Sequence, residues 1–334
     1  MALIVAKFGG TSVANPARVK DVARRLVACQ EQGNQVLAVV SAMGSSTDEL
    51  LALARSVNEN PPARELDQLL ATGEQVSMSV LAMAIEALGV RAVSMTGRQA
   101  GILTTTVFNR AKIAEIKTDR LQRELDRGRI VIVAGFQGIT ADGDITTLGR
   151  GGSDTSAVAL AAGIGAEVCE IYTDVDGVYT ADPRMVPRAR KLSVVTYEEM
   201  LDLAAAGSGV LQMRSVEVAR NYGVVIHCRS AFSTNSGTLV KEVKDMESAI
   251  ISGVAYDKSE AKVTIRDVPD RVGLAAEIFS AIAEAGISID MIVQNISEHG
   301  KTDISFTCPV NDLRHLRPVL DGQICALGVR DYVV

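Results

Sequence analysis

Short runs of β-branched and apolar residues alternate with longer segments of helical period along most of this 334-residue chain. The runs at 3–6, 35–41, 92–95, 130–134 and 168–173 predict strands, and the apolar spacing over 16–32, 66–88 and 118–127 predicts helices. Strands that alternate with helices build a mostly parallel sheet sandwiched by helices, so the fold class is α/β. Glycine-rich turns fall where the predicted strands end, the edge at which such sheets bind ligands.

The pattern changes at the turn cluster STNSGT (233–238) and the short charged segment 241–247, which divide a unit spanning 1–245 from one spanning 250–334. The second unit reads as strand 261–265, loop 267–273, helix 274–285, strand 289–295 and a turn at 298–300. Strand 303–308, helix 311–320 and strand 329–334 follow. The order βαββαβ is that of a ferredoxin-like unit.

Composition removes several function classes. Hydrophobic residues make up 47% of the chain, enough for a large core. A net charge of −6, no long Lys/Arg run, 4% aromatic residues and no Trp exclude the electrostatic and stacking footprint of a nucleic-acid binder. The apolar start before Lys7 is too short for a signal-peptide core or a membrane span. Cys29, Cys169, Cys228, Cys308 and Cys325 are widely spaced and odd in number, the usage of reduced thiols in the cytoplasm, where each serves as a small buried hydrophobe. Three histidines and no HExxH predict no dedicated metal site. Neither a P-loop nor a complete Rossmann fingerprint is present.

Three segments carry chemistry. KFGGTS (7–12) follows the first predicted strand and precedes a helix, so its glycines let backbone N–H groups converge on an anion beside Lys7. Taken alone, it reads equally well as a tight turn with an exposed lysine. TLGRGGSDTS (147–156) is a second such loop at the entry to a helix rich in Ala and Gly. There Arg150 can grip a carboxylate bidentately, and Asp154 reads either as a functional group or as a first-turn helix charge. IYTDVDGVYTADPR (171–184) packs Asp174, Asp176, Tyr179, Asp182 and Arg184 into a strand-end loop, which fits a nucleotide pocket or a solvated loop.

In this order, and together with VVSAM (39–43), Thr47 and TGEQ (72–75), these segments resemble the amino-acid kinase superfamily and, within it, the aspartokinases. The βαββαβ tail resembles an ACT domain. The resemblance implies an ATP-dependent aspartate kinase that uses Mg²⁺ brought in on the nucleotide. Lys7 and Asp154 are then catalytic. Arg150 holds the substrate α-carboxylate and Glu74 its ammonium, with Ser41, Thr47, Ser153 and Asp154 completing the acceptor pocket. Without the resemblance, Glu74 reads as a surface residue of a helix.

Lys7, Gly9, Gly10, Thr173, Asp174, Tyr179 and Arg184 take ATP by the same transfer. In the tail, Asp267, Gly273, Asp290, Gln294, Asn295 and Thr302 are the effector residues, with lysine and/or threonine as effector and a homodimer paired through the ACT units. Two departures stand out: Gly209 occupies a place where the family carries a phosphate-binding lysine, and one ACT unit is present where two are usual. The sequence leaves two other readings open, a weakly catalytic amino-acid sensor and a kinase for another carboxylate acceptor.

Overall fold

A computed structural model describes residues 2–243, 253–294, 300–327 and 331–334, without the side chains of 323–327. The chain divides into two compact units, Met1–Ala255 and Tyr256–Val334. The segment 245–250, where the sequence places its boundary, lies outside the described residues.

The first unit opens with β1 (Leu3–Phe8), α1 (Pro16–Glu31), β2 (Gln35–Val40), α2 (Ser46–Val57), α3 (Ala63–Leu70), α4 (Thr72–Glu86) and β3 (Ala92–Met95). It continues through β4 (Ile102–Thr104), β5 (Ile113–Ile116), α5 (Asp119–Asp126), β6 (Ile130–Ala134), β7 (Gln137–Ile139), β8 (Ile145–Thr147), α6 (Gly152–Ile164) and β9 (Val168–Thr173). It closes with β10 (Val194–Val195), α7 (Tyr197–Ala205), α8 (Met213–Tyr222), β11 (Ile226–Ser230) and β12 (Thr238–Val240).

Eight strands form the main sheet in the order β10-β12-β11-β9-β1-β2-β6-β3, parallel except for the β11–β12 pair. Alternation along each strand sends side chains to opposite faces. Val5, Leu37, Val39, Val131 and Val133 pack under α5 and α6 through Leu121, Leu125 and Val158. Phe8, Val36, Ala38, Val40 and Ile132 pack under α1 and α4 through Val19, Leu26, Leu81 and Ile85. Asn15 caps α1 by accepting from the Arg18 N–H at 3.0 Å, and Pro16 stands at its first position.

The segment read as one helix over 66–88 is two, α3 and α4. The Gln137 side chain donates to the Ala71 carbonyl at 2.8 Å, and Gly73 sits where an added Cβ would lie 2.9 Å from Ala42 Cβ. A side chain drawn into the helix ladder and a close approach at a glycine are sufficient causes of a break. A second sheet, β5-β4-β7-β8, was not expected, because runs of three or four partly polar residues carry too little periodicity.

The second unit holds β13 (Glu260–Pro269), α9 (Leu274–Glu284), β14 (Ile292–Gln294), β15 (Lys301–Pro309), α10 (Leu313–Leu327) and β16 (Asp331–Val333). Its sheet runs β14-β15-β13-β16, antiparallel throughout, over a core of its own that includes Val263, Leu274, Ile278, Phe306 and Leu316. This is the expected ferredoxin-like arrangement.

Candidate active site

Parallel register sets Phe8 beside both Val40 and Tyr172, and Val40 beside Ala134. The turns after β1, β2, β6 and β9 therefore emerge at one carboxyl edge, with β1 in the middle of the sheet. At Gly10 an added Cβ would stand 2.8 Å from the Ala42 carbonyl oxygen, so glycine is what lets the turns after β1 and β2 touch. The second glycine loop bends through left-handed backbone at Gly149 (φ +76) and Gly151 (φ +69), and α6 starts at Gly152.

These two loops face each other across a cavity of about 320 Å³. Lys7, Gly9, Gly10, Ser41, Thr47 and Glu74 line it from one side, and Arg150, Ser153 and Asp154 from the other. Lys7 Nζ lies 2.5 Å from Asp154 Oδ1, with both side chains largely buried. Asp154 belongs to the first turn of α6, where the helix dipole also favours negative charge. Arg150 is exposed at the rim, and no ion pair of its guanidinium occurs among the described residues.

Glu74 is not a surface residue: it is 3% exposed in the first turn of α4. Its Oε1 accepts from the Ala42 N–H at 3.0 Å, while Oε2 is buried without a hydrogen-bond partner. Burial pushes the Glu74 carboxyl up from 4.5 to about 7, against the opposing pull of the Ala42 amide.

Phe136 and Gln212 also line the cavity and were not anticipated. Phe136 holds φ +66, uncommon for an aromatic residue, with its N–H donated to Ser156 Oγ at 3.2 Å. The available signal was Gly135 after β6, where an added Cβ would lie 2.8 Å from Ser153 Oγ. For Gln212 the sequence carries none.

The residues expected to take ATP beyond the first loop stand apart from this cavity. Thr173 ends β9 at the same sheet edge and donates to Asp174 Oδ1 at 3.0 Å. Tyr179 bridges to Lys191, and Arg184, with its side chain 86% exposed, is held on Asp182 at 2.8 Å. Asp176 ties the loop to Ser233 and Asn235, at 2.6 and 3.0 Å. An added side chain at Gly209 would meet nothing within 4 Å. Arg214 does not stand free to replace a cation there, since it donates to the Leu148 and Ala111 carbonyls at 2.8 and 2.7 Å.

In the second unit, Asp267, at φ +54 on an irregular part of β13, donates its N–H to Asp303 Oδ1 at 3.0 Å, and Thr302 pairs opposite Val268. Gly273 caps α9 after that strand, and Gln294 pairs opposite Ile304. Asp290 lies toward the other end of the sheet, its N–H donated to the Thr307 carbonyl at 3.2 Å. Asn295 is outside the described residues.

Facing glycine turns with a lysine between them, at the carboxyl edge of a parallel sheet, define a phosphate-handling α/β protein. Residues 2–230 match the Amino acid kinase family and residues 263–321 the ACT domain, and the chain belongs to the amino acid kinase family. Within that family its similarity is to the aspartokinases, which are ATP-dependent kinases. It is 57% identical over 314 residues to the aspartokinase of Mycolicibacterium smegmatis, covering 92% of this chain and 75% of the relative. The aspartate kinase structure from Synechocystis superposes with TM-score 0.67 at 44% identity, over 99% of this chain and 58% of that one. The E. coli aspartokinase III structure in complex with aspartate and ADP superposes with TM-score 0.75 at 25% identity, over 99% and 85%. The chain thus spans about three-quarters of the curated relative's length.

Proposed function

We propose that this chain transfers the γ-phosphoryl group of ATP to the β-carboxylate of L-aspartate. The reading places it at the first step of lysine, threonine and methionine biosynthesis in the cytoplasm, under feedback control through the ACT unit. The observation that carries it is the Lys7–Asp154 pair, set between two glycine loops in a cavity that also holds Glu74 and Arg150.

The residues fit the two substrates. At Gly9 an added Cβ would sit 3.5 Å from Lys7 Nζ, so the absence of a side chain leaves that space to a phosphate oxygen. The unpartnered Oε2 of Glu74 suits a substrate ammonium, and the Arg150 fork suits an α-carboxylate. Thr173, Asp174, Tyr179 and Arg184 are proposed for the ATP site, with Tyr179 beside the base and Arg184 on phosphate.

A carboxylate oxygen of aspartate attacks the γ-phosphorus, and the bond to the β–γ bridging oxygen breaks with its electron pair leaving on ADP. The nucleophile is already ionised at neutral pH, so no general base is required. Catalysis then rests on alignment and charge: Arg150 and Glu74 fix the acceptor, and Lys7 neutralises charge spreading over the transferred oxygens. Asp154 holds Lys7 in place. Mg²⁺ bound with the nucleotide supplies further charge neutralisation.

Trapping the acyl phosphate with hydroxylamine, with aspartate, glutamate and acetylglutamate compared side by side, tests the assignment. Aspartate-dependent product is expected. Equal or better turnover of acetylglutamate, or no turnover of any acceptor, would overturn it in favour of another kinase or of a sensor.

A further inference from the structure

Asp67 is 0% exposed, yet its donors are two backbone amides and one hydroxyl. Its Oδ2 accepts from the Asn109 and Thr147 N–H groups, both at 2.9 Å, and its Oδ1 accepts from Thr147 Oγ1 at 2.5 Å. A buried carboxylate without hydrogen bonds is costly, so this convergence is a fixed feature of the fold. It does not line the cavity, and its side chain hydrogen-bonds to none of the residues that do.

The three contacts act on both halves of the acceptor site. Asp67 is on α3, which leads through Ala71 into α4 and Glu74. Thr147 ends β8 and opens the loop that carries Arg150, Ser153 and Asp154. Asn109, at φ +63, is pressed against that loop: its carbonyl oxygen lies 2.9 Å from where a Cβ on Gly149 would stand. Ala111 N–H donates to the Thr147 carbonyl at 3.0 Å, and Arg214 holds the Ala111 and Leu148 carbonyls from the other side. One buried carboxylate therefore ties α3, which leads into the Glu74 helix, to the strand end that opens the Arg150 loop.

We infer that Asp67 is a positioning residue for the acceptor: through Asn109 and Thr147 it holds the 147–154 loop against α3, at the spacing that lets Arg150 and Glu74 engage one amino acid together. The inference rests on the proposed aspartate kinase reading. A carboxylate suits the task because it accepts from all three donors at once and carries no N–H of its own to misplace.

Steady-state kinetics and hydrogen exchange on the full chain test this together. Asp67→Ala is expected to raise KM for aspartate at least about tenfold while KM for ATP stays within about twofold, a split that general destabilisation does not produce. Asp67→Asn, whose amide oxygen can still accept both backbone N–H groups while its NH2 turns to the Thr147 hydroxyl, is expected to recover part of the loss. Thr147→Val removes only the hydroxyl contact and should raise KM for aspartate by a few-fold, which keeps the test open if Asp67→Ala does not fold. Amide exchange over 147–152 should accelerate in Asp67→Ala without any substrate. Equal rises in both KM values, or exchange over 147–152 unchanged from the parent, would overturn the inference. A parent that failed to phosphorylate aspartate would sink the functional reading instead, while the exchange measurement would still decide whether Asp67 holds the loop.

Discussion

Glu74 is pulled in two directions. Its burial favours the neutral acid, while the proposed role requires a carboxylate that accepts the substrate ammonium. A folded-state value of about 7 against an ordinary 4.5 means that the folded chain binds more protons than the unfolded one between those limits, so stability falls as pH rises through that window. The gap corresponds to roughly 3 kcal/mol at most. Glu74→Gln is therefore expected to raise the melting temperature at pH 8 but not at pH 4, and to weaken aspartate severely. In the parent, KM for aspartate should rise as pH falls below about 7, because a protonated Glu74 no longer balances the ammonium; a flat profile from pH 8 to 6 would remove Glu74 from the acceptor site. Arg150→Lys should raise KM for aspartate about tenfold and leave KM for ATP nearly unchanged, since a planar fork becomes a point charge.

Gly209→Lys tests the missing cation. The position is open, Arg214 is engaged by two carbonyls and Arg184 by Asp182. A new charge-assisted phosphate contact is worth about 1.5–3 kcal/mol, so titration with an ATP analogue should show roughly 10- to 100-fold tighter binding. Unchanged affinity would mean that the lysine does not reach the phosphates.

At the scale of elements, the site depends on how closely strand-end turns approach. The contact between the turns after β1 and β2 is set at Gly10, where an added Cβ would meet the Ala42 carbonyl at 2.8 Å. Gly10→Ala is expected to cost about 1–3 kcal/mol by overpacking, read as a lowered melting temperature, and to lower turnover as the loop moves off Lys7. An alanine variant with parental stability and rate would show that the turns can separate without loss. The break between α3 and α4 belongs to this scale too. Periodicity over 66–88 runs unbroken in the sequence, because the partners that interrupt it, Gln137 at the Ala71 carbonyl and Ala42 against Gly73, sit on other segments. The segment 171–184 was legible as a strand-end loop, but the ties from Asp176 to Ser233 and Asn235 were not, since those partners lie 57 and 59 residues further along the chain.

For the whole molecule, each of the two compact units has core residues of its own, two clusters in the first and one in the second, so two unfolding transitions are expected. If lysine or threonine binds the second unit, it should raise that unit's calorimetric transition by mass action and leave the other transition in place. Gln294→Ala should weaken this shift and any inhibition while activity without effector stays near that of the parent. Asp290→Ala should matter less, because Asp290 lies at the opposite end of the sheet from Gln294, Thr302 and Asp267. Sedimentation should show a dimer. A monomer with no calorimetric response to either amino acid would remove the regulatory role and leave the kinase reading intact.

The alternation of β1, β2, β3, β6 and β9 with helices, the two glycine loops and the βαββαβ tail were determined by sequence, because periodicity and turn chemistry act over a few neighbouring residues; the short strands of the second sheet were not. For the same reason Lys7, Arg150, Ser153 and Asp154 were identifiable as candidates from their own motifs. Only the tertiary structure decided that Lys7 and Asp154 pair, that Glu74 is buried with an unpartnered oxygen, that Arg214 is occupied, and that Asp67 binds two distant loops. Desolvation and ion pairing are set by whichever remote segments converge on a group, and parallel pairing of β1 with β2 and β9 is what brings those segments to one edge.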